Sequence, residues 1–306
     1  EDQIVHSTFD FYKHEGLYSV CLPVTSCSVT SPMGLGSDSL PVKVNIQGVE
    51  TYMSDSMQFH LEYMIRIMNK GVHYLMPSFR GENADERHLC QFYHSEAEIE
   101  GNLDDVMDLI GRYITYLCKD LLNNCKNEIL SIAGTVSHIE KLIALNGKYP
   151  VVTYEKALEL LGNDPAYVEQ TDFGIPLINR HGEKALLEKY DGIVWLTNHY
   201  WKAVPFYQAQ QGDTVFARNS DLLFGIGEVV GCGERCESAE ELLESLKYHE
   251  VNPSEYNWYI KMKEKQPLKT SGFGMGVERF ILFLLQHNEI RDIQPILRFN
   301  GMSIEP

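Results

Sequence analysis

Three glycines alternate in the stretch Gly272-Phe-Gly-Met-Gly-Val-Glu-Arg279, and the apolar run Phe280–Leu285 follows directly. Alternating glycines remove the Cβ atoms from one face of a strand, so a flat ligand can approach the backbone closely. The apolar run predicts a buried helix, which places Arg279 near the helix N-terminus, where its guanidinium could stack on a ring or pair with a phosphate. A glycine-rich strand under a helix, with Arg279 in a surface ion pair, would explain the same residues without any chemistry.

A charged loop lies between two stretches of alternating apolar residues at positions 74–98. Alternation on both sides of a loop predicts an antiparallel hairpin. The loop carries Arg80, Glu82, Arg87 and His88, and Phe92 lies at the start of the second strand. A solvated network of ion pairs is one interpretation of such a loop, and a ligand site is the other.

A third stretch has an acidic residue at each end of a predicted strand, Asp221 and Glu228. Arg235 follows after a glycine-containing turn, at the same spacing. Ordinary residues at strand ends would also explain this pattern.

A fourth stretch, Tyr52–Glu62, runs into an apolar-periodic helix at Tyr63–Met68. Ser54 or Asp55 is expected to cap that helix, because both residue types accept hydrogen bonds from the first free backbone amides. A capped helix alone would explain the stretch.

Together these stretches resemble the sequence motifs of the class II aminoacyl-tRNA synthetases, in particular the asparaginyl and aspartyl enzymes. Gly272–Phe280 resembles motif 3, and Arg80–Phe92 resembles motif 2. Phe9–Pro23, read as a helix, a strand and a proline, is similar to motif 1, which builds the dimer interface in that family. The resemblance covers nearly the whole chain and implies an α+β fold, an antiparallel β-sheet flanked by helices, in a homodimer.

The resemblance also implies an ATP site with Mg²⁺. Arg80 would hold the α-phosphate, Glu82 the adenine edge, Arg87 or His88 the γ-phosphate, and Phe92 would stack on adenine. Arg80, Glu228 and Arg279 would be the catalytic residues. The full set of implied ATP contacts is Arg80, Glu82, Arg87, His88, Phe92, Asp221, Glu228, Gly276 and Arg279, with Asp221 and Glu228 as the metal ligands.

The amino-acid contacts implied by the resemblance are Ser56, Gln58, Glu96 and Arg235. Arg235 would pair with a carboxylate of the amino acid. Aspartyl enzymes carry a lysine at the position of Leu61, so Leu61 and Glu96 resemble an asparaginyl pocket. The activated acid would be aspartate, asparagine or an analogue.

The composition limits the partners. Of the 306 residues, 43 are acidic and 26 basic, which gives a formal net charge of −17. Proteins that hold a polyanion usually carry a basic face, and no run of lysine and arginine occurs. Seven cysteines without paired spacing, no signal peptide and no apolar run of ~20 residues predict a cytoplasmic protein that does not enter a membrane. The charge argues against tRNA as a partner.

The elements between the motifs follow from periodicity and turn residues. Ser31–Ser39 is expected to be a flexible loop, and Pro41–Ile46 alternates as a strand. Apolar residues at three- and four-residue steps from Leu103 to Leu121 predict a long helix, and Thr153–Gly162 reads as a capped helix ended by glycine. We expect residues 1–306 to form one catalytic domain, with a mainly helical insertion at about 100–205.

The chain departs from the asparaginyl and aspartyl enzymes in two respects. It carries no β-barrel for anticodon binding, so we expect no anticodon-binding domain. The segment Ile260–Ser271, which flanks the active site in the family, is altered. Lys261–Pro267 could be a solvated lysine-rich loop or part of a path for the acceptor.

Three functions are compatible with these residues. The first is an AMP-forming ligase that activates aspartate or a close analogue and transfers it to ammonia or a small amine, as in asparagine synthetase-like paralogues that lack the anticodon-binding domain. The second is an asparaginyl- or aspartyl-tRNA synthetase-type charging core. The third is a non-catalytic module that binds an amino acid or an adenylate. The presence of Arg80, Glu228 and Arg279 argues against the third, and the acidic composition argues against the second.

Overall fold

The computed structural model describes residues 1–30 and 40–296, so the predicted loop Ser31–Ser39 lies outside the described residues. The helices are α1 (Asp2–His14), α2 (Gln58–Met68), α3 (Leu103–Asn124), α4 (Lys126–Ala133), α5 (Ser137–Leu145), α6 (Tyr154–Leu161), α7 (Arg180–Lys189), α8 (Ala239–Tyr248), α9 (Asn257–Lys265) and α10 (Val277–Leu285). Short 3-10 turns lie at Trp201–Ala203, Pro253–Tyr256 and Ile290–Ile293.

The strands are β1 (Tyr18–Ser19), β2 (Thr25–Ser26), β3 (Val42–Ile46), β4 (Val49–Met53), β5 (Val72–Phe79), β6 (Gln91–Glu100), β7 (Val151–Thr153), β8 (Val168–Gln170), β9 (Pro176–Ile178), β10 (Ile193–Thr197), β11 (Asn219–Phe224), β12 (Gly227–Glu234) and β13 (Thr270–Gly276). The main sheet has eight strands in the order β1-β5-β6-β13-β12-β11-β10-β7. Its inner pairs are antiparallel, and only the edge strands β1 and β7 pair in parallel among the described residues. The predicted α+β fold with an antiparallel sheet flanked by helices is confirmed.

The stretches that carry the motifs form neighbouring strands. β5 and β6 make the predicted hairpin, with the charged loop between them. β6 also pairs with β13, where Glu96 lies opposite Gly274 and His94 opposite Gly276. The centre of the sheet therefore brings residues from both ends of the sequence onto one surface.

Helix α3 packs on the sheet and contributes more buried residues to the main core than any other helix of the described residues. It begins at a capping box, in which the Asn102 side chain and the Asp105 side chain each accept a hydrogen bond from the other's backbone amide. Its buried face includes Val106, Ile110 and Ile114, which agrees with the predicted periodicity. Helix α10 packs into the same core through Phe280 and neighbouring apolar residues.

The stretch at 100–205 contains α3–α7, and it also contributes β7 and β10 to the main sheet. Helix α6 has the predicted cap, because the Thr153 side chain accepts a hydrogen bond from the Lys156 amide and Gly162 closes the helix at a φ of 66°. The division of the chain into domains remains a prediction. No helix among the described residues is long and apolar enough to cross a membrane.

Two local predictions are wrong. Helix α2 begins at Gln58 with Met57 at its N-cap and no side-chain cap, because Asp55 instead accepts hydrogen bonds from Thr30. Lys261–Pro267 is not a lysine-rich loop but mostly the last part of α9, and Lys263 is fully buried.

Candidate active site

Two adjoining cavities open on the surface of the central strands, with volumes of about 180 Å³ and about 1210 Å³. Every residue predicted for the site lines at least one of them. The smaller cavity, which we call the arginine end, is lined by Arg80, Arg87, His88, Phe92, Glu228, Gly276 and Arg279. The larger cavity is lined by Ser56, Gln58, Arg80, Glu82, His88, Glu96, Asp221, Glu228 and Arg235.

The three arginines of the arginine end come from different elements. Arg80 and Arg87 lie in the loop between β5 and β6, and Arg279 lies in the first turn of α10. Arg279 donates a hydrogen bond from Nη1 to the Glu228 carbonyl at 2.8 Å, and the same nitrogen lies 3.6 Å from the Glu228 carboxylate. The Nε atoms of Arg80 and Arg87 are buried and have no acceptor among the described residues. Guanidinium groups with unfilled donors fit an anionic ligand such as a phosphate chain.

The remaining residues of the loop are arranged around these arginines. The Arg80 guanidinium lies 5.4 Å from the centre of the Phe92 ring, close enough for a cation–π contact. Glu82 accepts a hydrogen bond from the Leu40 amide at 3.0 Å, and His88 contacts Asp85. An adenine placed on Phe92 would lie beside Arg80.

Asp221 and Glu228 converge above the backbone of Gly231. A Cβ at Gly231 would lie 3.0 Å from Oε1 of Glu228 and 3.4 Å from Oδ1 of Asp221. His199 Nε2 lies 3.1 Å from Asp221. Burial lowers the pKa of His199, but Asp221 and its other partners outweigh burial, so this pKa lies above the ordinary value. Two carboxylates are what Mg²⁺ usually takes from a protein, with phosphates and water as its other ligands, so the donor set fits this metal.

The larger cavity is also lined by Ser56, Gln58, Glu96 and Arg235. Together with Glu98, which bonds to Arg235 without lining the cavity, we call these residues the paired end. Glu96 accepts hydrogen bonds from Ser56 at 2.7 Å and from Tyr74, and His94 lies 3.0 Å away. Burial opposes ionisation of Glu96, but His94, Tyr74 and Ser56 keep its pKa below the ordinary value. Glu96 is therefore a carboxylate in a fixed position.

Arg235 is buried and already holds an anion of the protein. Its Nε and Nη2 atoms lie 3.1 Å and 3.0 Å from the Glu98 carboxylate, and Nη2 also donates to Gln58. The Tyr207 ring lies 5.3 Å from its guanidinium carbon. Burial raises the pKa of Glu98 to about 7 although Arg235 opposes this shift. The guanidinium predicted to bind the amino acid is thus already hydrogen-bonded to side chains of the protein.

The glycines of β13 serve the protein's own side chains as well as a ligand. A Cβ at Gly272 would overlap Oε2 of Glu98 and lie 2.6 Å from Arg235. The atoms nearest to a Cβ at Gly276 belong to Arg279, at 3.6 Å or more. The expectation that all three glycines leave room for a flat ligand is wrong at Gly272, because Glu98 fills that space.

Three carboxylates of the site were missed by the sequence reasoning: Glu98, Glu183 and Glu278. Glu98 lies two residues after Glu96, so the alternation of the strand could have identified it. Glu278 directly precedes Arg279 and accepts hydrogen bonds from the Tyr93 amide at 3.0 Å and 3.1 Å. Glu183 bonds to Arg87 from α7, and no local pattern indicates this contact.

The altered segment Lys261–Pro267 does not reach the site. None of its residues lines either cavity. Lys263 instead donates hydrogen bonds to Glu62 at 2.7 Å and to the Cys236 carbonyl at 2.5 Å, in a fully buried position. The interpretation of this segment as part of an acceptor path is therefore wrong.

Solved structures of known proteins share this fold. The chain is similar to asparaginyl-tRNA synthetase from Pyrococcus horikoshii complexed with asparaginyl-adenylate, with a TM-score of 0.87, 24% identity, and coverage of 99% of this chain and 68% of that one. Entamoeba histolytica asparaginyl-tRNA synthetase in complex with asparaginyl-adenylate is similar with a TM-score of 0.84 and 20% identity, over 100% of this chain and 67% of that one. A putative aspartyl-tRNA synthetase from Leishmania major Friedlin is similar with a TM-score of 0.79 and 17% identity, over 99% of this chain and 64% of that one.

This chain therefore spans about two thirds of the length of these synthetases. The family model for class II tRNA synthetases (D, K and N) matches residues 1–298. The motifs, the antiparallel sheet and this match lead to one conclusion: the chain belongs to the class II tRNA synthetase family (D, K and N).

Proposed function

We propose that this protein is an ATP-dependent, AMP-forming ligase that activates aspartate or a close analogue as an aminoacyl-adenylate and transfers it to ammonia or a small amine. The observation that carries the proposal is the convergence of Arg80, Arg279 and the carboxylates of Asp221 and Glu228 on cavities that continue to Glu96 and Arg235. A charge pattern suited to a nucleotide thus adjoins a pocket suited to a small amino acid.

The chemistry needs no protein nucleophile. The carboxylate of the amino acid attacks the α-phosphorus of ATP, the new bond is an acyl–phosphate bond, and pyrophosphate leaves. Catalysis is then positioning and charge stabilisation. Arg80 and Arg279 would stabilise the negative charge that builds up on the phosphates. Mg²⁺ held by Asp221 and Glu228 would supply further neutralisation.

The charge at the paired end bears on which acid is activated. Arg235 already bonds to Glu98 and Glu96 is ionised, so a second carboxylate on the substrate would meet the negative charge of Glu96 and no free guanidinium there. This supports a neutral amide side chain, asparagine, alongside aspartate as a candidate. A panel with both acids is therefore the first test.

The acceptor is the least constrained part of the proposal. The net charge of −17 does not favour a polyanion, whereas ammonia or a small amine needs only a path to the adenylate carbonyl. The product with aspartate and ammonia would be asparagine. The alternative, a tRNA-charging core, is favoured by the similarity to asparaginyl-tRNA synthetases. A non-catalytic module is less well supported, because the predicted catalytic side chains all line the cavities.

The test has two stages. Amino-acid-dependent exchange of pyrophosphate into ATP is measured with aspartate, asparagine and their analogues. The protein with ATP, Mg²⁺ and the active acid is then incubated with labelled ammonia and, separately, with total tRNA. Label in a small amide supports the ligase. Acid-stable label in tRNA at physiological salt, without a small amide, would favour the charging core, whose tRNA binding should fall steeply with salt.

We also propose a symmetric dimer built on α1 and β1. Phe9 and Tyr18 lie in this region with exposed fractions of 39% and 47%, which leaves apolar surface for a partner. Light scattering at micromolar concentration tests this, and a monomer would contradict it.

A further inference from the structure

Two ion pairs join the loop of Arg80–Cys90 to helix α7, and they differ in burial. Arg87 Nη2 lies 2.9 Å from Oε2 of Glu183, and the two side chains are 16% and 19% exposed. The second pair, Arg180 with Glu86, is 56% and 51% exposed. Solvent weakens an exposed pair far more than a sheltered one. The same two elements therefore carry a sheltered pair and an exposed pair for comparison.

The sheltered pair is built into the start of β12. A Cβ at Gly227 would overlap Oε2 of Glu183 and lie 2.6 Å from Nη2 of Arg87, so both groups lie directly on the glycine backbone. Gly227 has a φ of 129°, which other residues rarely adopt. The absence of a side chain at Gly227 thus leaves room for the ion pair beside Glu228.

Glu183 also balances charge at the arginine end. Arg80, Arg87 and Arg279 line the same small cavity, and like charges so close repel one another. Glu228 lies 3.6 Å from Arg279, and Glu183 contacts Arg87, so each of these two guanidinium groups has its own carboxylate. An arginine on a loop otherwise has many rotamers, and ordering it on binding weakens affinity.

We propose that Glu183 is a positioning residue for ATP, which holds the Arg87 guanidinium on the cavity wall for the phosphate chain and so couples helix α7 to nucleotide binding. This inference rests on the proposed function, because it takes ATP as the ligand of the arginine end. Glu183 itself lines the larger cavity and makes its contact with ATP through Arg87.

The experiment compares Glu183→Gln, Glu183→Asp and Arg180→Gln in the full chain. ATP binding is measured by calorimetry, and pyrophosphate exchange gives KM and kcat. We expect Glu183→Gln to weaken ATP binding and raise its KM about tenfold, the order of a charge-assisted hydrogen bond, with kcat and the KM of the amino acid within about twofold. Glu183→Asp should recover part of the affinity, and Arg180→Gln should match the wild type.

Arg87→Gln should show the same loss as Glu183→Gln, and the double variant should be no worse than either single one, because both residues act as one unit. Unchanged or tighter ATP binding by Glu183→Gln overturns the inference, since Glu183 would then be neutral or would compete with phosphate. A larger effect on the amino acid than on ATP also overturns it. If Glu183→Gln does not fold, Glu183→Asp and Arg87→Gln carry the same comparison. Wild-type protein that binds ATP without any exchange would refute the proposed function alone, whereas absence of ATP binding would refute both.

Discussion

The two ends of the site handle charge in opposite ways. At the arginine end, Arg279 and Arg87 are 17% and 16% exposed, and buried donor atoms of Arg80 and Arg87 have no acceptor among the described residues. At the paired end, Arg235 and Glu98 are 2% and 0% exposed and bond to each other. The arginine end thus leaves hydrogen-bond donors for a ligand, whereas at the paired end the donors of Arg235 bond to side chains of the protein. Charge should therefore govern ligand binding at the first end and folding at the second.

Breaking the buried pair should give the largest effect on stability. Arg235→Met leaves Glu98 buried without its partner, which typically costs about 3–5 kcal/mol of unfolding free energy. The loss should be larger near pH 8 than near pH 5, because the wild-type Glu98, with a pKa of about 7, is charged beside Arg235 only at the higher pH. Urea denaturation at both pH values measures it. Arg235→Met combined with Glu98→Met should recover much of the loss, and a single variant as stable as the wild type would refute the role of the pair.

At the arginine end the same type of change should spare the fold and remove activity. Arg80→Ala and Arg279→Ala should each reduce pyrophosphate exchange by about 100-fold or more, the scale of losing one preorganised donor to a transition state. Their urea midpoints should stay near that of the wild type. Wild-type exchange in either variant would contradict the assignment of these residues to ATP.

The glycines of β13 allow a matched comparison between the two ends. Gly272→Ala places a methyl group against Glu98 and Arg235 and should destabilise the protein by about 1–3 kcal/mol. The nearest neighbour of the new methyl group in Gly276→Ala is the Arg279 side chain at ordinary contact distance, so the effect on stability should be within about 0.5 kcal/mol. Thermal unfolding of both variants is sufficient, and equal losses would show that the positions do not differ.

The last comparison concerns pH. Burial raises the pKa of Glu278 to about 7, although the Tyr93 amide stabilises its charged form. The folded state then binds more protons than the unfolded state between pH 4.5 and 7. The contribution of Glu278 to stability should therefore fall as the pH rises through this window, by at most about 1.4 kcal/mol per pH unit. The unfolding free energy of the wild type minus that of Glu278→Gln, measured across the window, should therefore decrease as the pH rises. A flat difference would contradict the shift.

Local patterns in the sequence predicted the elements better than their partners. The glycine repeat before an apolar run gave β13 and α10 in order, because both signals lie within a few residues of each other. The hairpin of β5 and β6 followed in the same way. The partners of individual side chains, by contrast, are set by contacts between segments that are distant in sequence. The predicted cap of α2 was wrong because Asp55 accepts a hydrogen bond from Thr30 instead. The prediction of a solvated loop at Lys263 was wrong because its partner, Glu62, lies on another helix.

The proposed roles of the site residues came only from the resemblance to a family. Alternation places Glu96 and Glu98 on one face of a strand, but it does not show that Arg235 lies over Glu98. Arg235 and Glu98 are 137 residues apart along the chain, and Glu183 is 96 residues from its partner Arg87. Spacing rules act over single elements, so they could not reveal these contacts.

The position of β13 in the centre of the sheet has a consequence for the time course of folding. Its neighbour β6 is far away in sequence, and the hydrogen bond from Ser271 to the Gly101 carbonyl spans 170 residues. Folding slows as the separation between contacting residues grows, because the intervening chain loses entropy before the contact forms. Until β13 pairs with it, β6 is an edge strand of the partly formed sheet β1-β5-β6. During synthesis, this edge would be open to association with other chains until residue 276 has left the ribosome.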